Sequence, residues 1–293
     1  MTPLPAVRAL MTGAIDYAGL FPPAALPMPD AVANYERYRS GAHAWMLGRF
    51  VVPLARLEEL ADAYAAVVHA ESSAWPVSVI AKASDAATIA TFNARYGARL
   101  RIDTVEVPPV TVGDIAALAG MAATYAVFAE VTWATDPTPV IAKLARHGVR
   151  AKIRTGGVTP EAFPSPAQMA RFIAACVAAG VPFKATAGLH HAWRGEYPLT
   201  YEAGSATATM FGFANVLLAG SAAVAGAGAD EMCVVLDAPG GAGFEAVEQG
   251  WVLPSGRAIP AELVTAARAR AMASFGSCSF EEPMEELIAR GLL

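Results

Sequence analysis

The chain is poor in charge, in cysteine and in polar low-complexity sequence, and each shortage closes off a class of protein. Asp, Glu, Lys and Arg make up only 16% of its 293 residues. No run of Lys and Arg suits a phosphate backbone, and the formal net charge is -5, so nucleic acid is not expected as a partner. The three cysteines, Cys176, Cys233 and Cys278, form no CxxC pair, which points away from both a structural zinc site and a disulfide framework. The opening residues MTPLPAVRAL lack the long apolar core of a secretory signal, so a cytoplasmic protein is the default expectation. No G-x-G-x-x-G follows the first strand-like segment, which argues against a dinucleotide fold. No Pro/Gly linker divides the sequence, and residues 1–293 read as one domain.

What is plentiful is apolar sequence, 55% of the chain and much of it alanine, enough to bury a large core without covalent staples. Residues 205–229 (SATATMFGFANVLLAGSAAVAGAGA) carry no charge and are long enough to span a bilayer. Ala, Gly, Ser and Thr outnumber Leu, Ile and Val there, and the segment holds Asn215. A buried helix or helix pair is the reading, with no membrane partner.

Apolar runs of strand length alternate with helical patterns along the chain. Strands are expected at 14–18, 45–52, 76–82, 101–107, 126–132, 149–155 and 182–187, with helices at 29–40, 55–70, 86–96, 111–123, 137–147 and 166–179. Thr111 stands three residues before Asp114 as a helix-start signal. Ser165 precedes Pro166, and Gly180 closes the helix that they open. Such even repetition predicts an α/β protein whose strands close into a (β/α)8 TIM barrel. Strand eight is expected at 273–276, after a helix at about 260–272 and before a final helix. FEAVEQGWVL competes for that place, or else forms a small hairpin outside the barrel around 240–258.

Strand side chains alternate faces, and the outer face of a barrel must be apolar to meet its helices. Setting Val149, Ala151 and Ile153 outward turns Arg150, Lys152 and Arg154 inward or toward the mouth. The same rule turns Lys184 and Thr186, Glu130, Lys82 and Arg49 inward. In RIDTVEV one register points Asp103 inward and the other Glu106, and a regular strand cannot do both. Asp16, in AIDYAGLFPP, either serves the site or holds a strand end. Lys82, Lys152, Arg154 and Lys184 against Glu130 leave a cationic surplus, which a small anionic substrate would balance.

Two lysines on neighbouring strands suit imine chemistry. An ordinary lysine is protonated at neutral pH, whereas burial beside a second cation favours the nucleophilic amine. Lys152 beside Lys184 meets that requirement, and Glu130, Asp103 and Asp16 are candidates for moving protons. This is class I aldolase chemistry, and it calls for no metal or organic cofactor.

The segments AKIRTGG and FKATAG resemble the sixth and seventh strands of the deoxyribose-phosphate aldolase superfamily. AIDYAGLFPP and RIDTVEV are similar to its first and central strands. The resemblance implies that Lys152 forms the Schiff base, that Lys184 lowers its pKa, and that Asp103 relays protons with Asp16 close by. Arg154 departs from that family, standing where a small hydroxyl residue is usual; its guanidinium suits a carboxylate or phosphate. FGSCSFEEP is the nearest match to the family's phosphate loop. Ser277 or Ser279 there would hold an anion; Glu281 and Glu282 would oppose it, or would simply cap the final helix after Ser279. Together, KIRTGG, FKATAGLHH and GSCSFEEP resemble a divergent bacterial family with a site of its own.

Other readings stay open at this point. His190 and His191 contact substrate, move protons, or join Glu130 and Asp16 around a divalent metal in a lyase, isomerase or hydrolase. Arg194 is an anion clamp or a loop salt bridge. Asn215 reaches the site or crosslinks packed helices. A catalytically inactive barrel that binds a ligand would show both lysines neutralised, with no accessible cavity between them. Self-association into a homo-oligomer is expected by analogy with small barrels alone.

Overall fold

The computed structural model describes residues 3–68 and 73–293. Eight parallel strands close into a barrel: β1 (Ile15–Tyr17), β2 (Leu47–Pro53), β3 (Trp75–Ile80), β4 (Leu100–Pro109), β5 (Ala126–Glu130), β6 (Arg150–Arg154), β7 (Phe183–Thr186) and β8 (Met272–Ser277). Strand β8 pairs with β7 on one side and with β1 on the other, which closes the cylinder. Helices interleave with the strands, so the architecture is the α/β barrel that the alternation predicts.

The outer layer is built as the alternation requires. Tyr17 and Phe50 leave the barrel to meet Tyr35 of helix Met28–Arg39 and Trp75 at the head of β3; the Tyr35 and Trp75 ring centroids lie 4.6 Å apart. On the neighbouring strand β8, Phe275 stacks on Phe213 at 4.7 Å. Each such fully buried ring contributes roughly 2–3 kcal/mol. Helix Pro166–Ala179 starts and stops where its signals say. Ser165 and Gln168 cap each other reciprocally, and Gly180 ends the helix at φ 64°.

Three segments differ from expectation. The helix expected at 55–70 runs Leu57–Val67, and residues 69–70 lie outside the described residues. The helix expected at 111–123 is two short turns, Ile115–Leu118 and Ala119–Ala122. Its buried residues Ile115, Leu118 and Met121 recur every third position, the period of a 3₁₀ turn. The apolar segment 205–229 splits into strand Thr207–Met210 and helix Phe213–Val224. Among the described residues no helix is long and apolar enough to cross a membrane.

Two additions lie outside the barrel. Gly195–Pro198 and Thr207–Met210 pair as an antiparallel hairpin after β7. Glu245–Val247, Gly250–Val252 and Ala258–Pro260 form a small antiparallel sheet. The Trp251 indole N–H fastens that sheet to Ala6 O at 3.0 Å.

One irregularity sets up the site. Val77 of β3 faces Ile102 of β4, but the next residue, Ser78, faces Thr104. Asp103 is therefore an extra residue in β4, a β-bulge, and the inside-outside alternation restarts after it. Asp103 and Thr104 lie side by side, with the threonine hydroxyl donating to Asp103 Oδ1 at 2.8 Å, and Glu106 then faces inward. The sequence choice between Asp103 and Glu106 assumed a regular strand; the bulge lets both enter the barrel at different depths.

Candidate active site

Strand register lines up Glu130, Lys152, Lys184 and Ser274 as successive cross-strand partners on β5, β6, β7 and β8. Lys184 is fully buried. Its ammonium donates to Asp16 Oδ2 and to Glu106 Oε1, both at 2.7 Å. Asp16 also accepts from the Ser274 hydroxyl at 2.7 Å and from the Arg49 backbone N–H at 2.8 Å. Glu106 also accepts from the Ser78 hydroxyl at 2.8 Å. The space for Asp16 exists because residue 48 is glycine: a Cβ there would collide with Asp16 Oδ1.

Burial alone would push the Glu106 carboxyl up. The ammonium groups of Lys184 and Lys152, with the hydrogen bonds, outweigh it and hold the group down at about 2. Burial would likewise lower Lys184, yet Asp16 and Glu106 raise it above the ordinary lysine value. Lys184 is thus a fixed cation inside the barrel.

Lys152 sits one strand away and one step closer to solvent. Its Nζ lies 3.1 Å from Glu130 Oε2 and 3.5 Å from Glu106 Oε2. Lys152 and Glu106 line a cavity of about 600 Å³ at the carboxyl ends of the strands, and Lys184 does not. Apolar side chains, among them Val51 and Ile80, make up much of the wall, while Arg154 and Thr186 stand at the β6–β7 side. Residues 198–202, at the end of the first hairpin strand and in its loop, also line the cavity.

The wall formed after β7 and β8 is polar. His190 Nδ1 lies 3.4 Å from Cys278 Sγ, which also lies 3.6 Å from the Tyr201 hydroxyl. Glu282 Oε2 stands 3.9 Å from the same His190 nitrogen. Burial, helped by His191, lowers His190 to about 4, and burial raises the Cys278 thiol and the Glu282 carboxyl. His191 also borders the cavity, but its ring stacks on Tyr197 and its Nδ1 meets Glu286 Oε1 at 2.5 Å.

Several residues expected at the site lie elsewhere. Lys82 is exposed, because β3 ends at Ile80 and the chain turns out before residue 82 can face inward. Arg49 and Asp103 form their own ion pair at 2.6 Å, away from both lysines. Arg194 reaches Asp237 at 2.9 Å and lies over Phe211, so it is the loop salt bridge of the two readings. The Asn215 amide donates to Val235 O and Ala238 O and its oxygen accepts from Arg194 N–H, tying helices together rather than reaching the cavity. Ser277 does not border the cavity. Ser279 accepts from the N–H groups of Glu281 and Glu282, so those amides are already satisfied within the chain.

The inferred cationic surplus also disappears. Lys152 and Lys184 meet three inward carboxylates, Asp16, Glu106 and Glu130. The surplus came from counting Lys82 inside and from leaving out Asp16 and Glu106. Sequence reasoning missed Ser78, Ser274 and Tyr201 altogether; it gave Glu282 a part only at the start of the final helix, and it set Cys278 aside because no histidine is near it in the chain. The signal for Ser78 and Ser274 was available: both are small polar residues at inward positions of apolar strands.

Among the described residues no three His, Cys, Asp or Glu side chains gather as a metal site requires. A buried lysine–acid pair beneath an open cavity at the carboxyl end of a parallel barrel is the arrangement of an aldolase- or lyase-like active site. Compared with known proteins, the chain matches no family model and no curated protein.

Proposed function

We propose that the protein is a Schiff-base lyase in which Lys152 attacks the carbonyl group of a small substrate. One observation carries this reading: of the two amines that share Glu106, Lys152 borders the cavity while Lys184 is sealed beneath it by Asp16 and Glu106. Lys152 gives a proton to Glu130, and the free amine adds to the carbonyl carbon. Loss of water from the carbinolamine, with a proton supplied to the departing oxygen, leaves a protonated imine. The imine draws in the electron pair of the neighbouring carbon bond as that bond breaks, giving an enamine. Protonation and hydrolysis then release product and restore Lys152.

The resemblance of AKIRTGG and FKATAG to the deoxyribose-phosphate aldolase superfamily supports the same assignment of nucleophile. It does so with a different acid set, because Asp103 is occupied by Arg49 while Glu106 and Glu130 touch the lysines. Lys184 keeps Glu106 ionised and oriented. Arg154, exposed at the cavity mouth, is the cation that an anionic end of the substrate would meet.

Borohydride reduction in the presence of aldehydes, keto acids and sugar phosphates tests the proposal. A stable mass increase that peptide mapping assigns to Lys152, and that K152A loses, is the expected result. An adduct on Lys184 would reverse the roles. No adduct with any of the three classes would end the imine reading in favour of a ligand-binding barrel, which the neutralised state of Lys184 already resembles in part.

A further inference from the structure

The cavity has a second chemical wall that the imine steps above leave unused. His190 borders the cavity with only 12% of its side chain exposed. Its Nδ1 faces two groups, Cys278 Sγ at 3.4 Å and Glu282 Oε2 at 3.9 Å, and no described residue hydrogen-bonds its Nε2. Glu282 Oε2 is itself a buried acceptor without a hydrogen-bond donor. A buried oxygen left unpaired next to an imidazole is unusual, since such groups are normally satisfied. When Nε2 takes up a proton, the imidazolium has this carboxylate 3.9 Å from Nδ1 to balance its charge. Cys278 stays a thiol under burial, so sulfur orients the ring and does not compete for the positive charge.

We infer that His190, backed by Glu282 and oriented by Cys278, is the acid–base group for a β-hydroxy carbonyl substrate held as an imine on Lys152. This rests on the Schiff-base reading and narrows it to retro-aldol cleavage. His190 Nε2 takes the proton of the β-hydroxyl group. The O–H electron pair becomes the C=O of the departing aldehyde. The Cα–Cβ bond breaks, and its electrons neutralise the iminium as an enamine. The imidazolium returns the same proton to the enamine carbon, and water then hydrolyses the product imine. One proton leaves the substrate and one comes back, so neither an oxidant nor a reductant is needed. Burial keeps the resting imidazole neutral at physiological pH, which is the form that accepts the proton.

The test uses 3-hydroxybutanal and 4-hydroxy-2-oxopentanoate as probes, with borohydride trapping and aldehyde release measured on the same samples. The expected result is that H190Q still forms the trapped adduct on Lys152 while aldehyde release falls roughly 100-fold or more, the usual weight of a general acid–base group. E282Q is expected to fall less, about tenfold, and C278S to stay within a few-fold of the parent. Trapping together with parent-like release by H190Q would overturn the inference. So would a parent enzyme that forms the adduct and cleaves neither probe. Absence of any adduct on the parent would instead overturn the Schiff-base reading beneath it.

Discussion

Lys152 and Lys184 are direct cross-strand partners that share one carboxylate: Glu106 presents Oε1 to Lys184 at 2.7 Å and Oε2 to Lys152 at 3.5 Å. The two amines are nonetheless unequal. Lys184 has a second full partner in Asp16 and no exposure, while Lys152 borders the cavity.

That inequality predicts different outcomes for the same substitution. K184M leaves Asp16 and Glu106 buried without their main counter-ion, a loss of roughly 3–5 kcal/mol. K152M leaves only Glu130 without its counter-ion, while Lys184 still pairs Asp16 and Glu106, and should destabilise less. Urea titration of the two variants beside the parent checks the order; equal losses would mean that the lysines are equivalent.

Acid should expose Glu106. Its carboxyl is held at about 2 in the folded protein, below the ordinary 4.5, so the unfolded chain binds the proton more readily. The resulting stability, on the order of 3 kcal/mol, is complete above about pH 4.5 and is lost as pH falls toward 2. E106Q should remove that part of the acid dependence. Denaturation midpoints measured across pH 2–6 would show it.

His190 acts in a different window. Folding depresses it from 6.5 to about 4, so the unfolded state takes up the proton first and stability declines as pH falls from about 6.5 to 4. H190Q should flatten the stability profile in that range and leave the Glu106 region below it unchanged.

The glycines of the two lysine motifs make a further prediction. A Cβ on Gly188 would lie 2.9 Å from Gly156 Cα and from the Phe163 ring, and Gly188 has φ 71°. The turns after β6 and β7 touch each other there, and Thr155 Oγ1 donates across to Ala187 O at 2.6 Å. G188A should lower stability by about 1–3 kcal/mol and reduce trapping on Lys152, because the cavity wall must shift. Calorimetry and the trapping assay read the two effects.

Asn215 separates stability from chemistry. Its side chain bridges three backbone groups far from the lysines, so N215A should lose about 2–4 kcal/mol while keeping the trapped adduct at a temperature where it remains folded. Loss of the adduct in folded N215A would tie this crosslink to the site.

Much of the barrel was legible because its strands obey a two-residue period and its helices carry ordinary caps. The inward positions of Lys152, Lys184 and Glu130 follow from that period alone. What failed were the places where counting stops working. Lys82 keeps the inward parity of β3 but falls beyond its last strand residue. Glu106 could not be chosen over Asp103 because a bulge leaves no mark in composition. His190 and Cys278 are 88 residues apart in the chain and meet only because β7 and β8 are neighbours in the closed barrel. Charge arithmetic on a guessed inner face inherited each of these errors.

The single supernumerary residue at Asp103 has a wider effect than its size suggests. An unbroken zigzag through that aspartate would aim Glu106 at the surrounding helices and leave both ammonium groups without their common anchor. With it, one stave delivers two acids to two storeys: the lower meets a guanidinium, the upper a pair of amines. Excising residue 103 should therefore keep Glu106 pointing at its lysines and free Arg49 and the Thr104 hydroxyl, whereas inserting one residue between 104 and 106 should undo the upper storey.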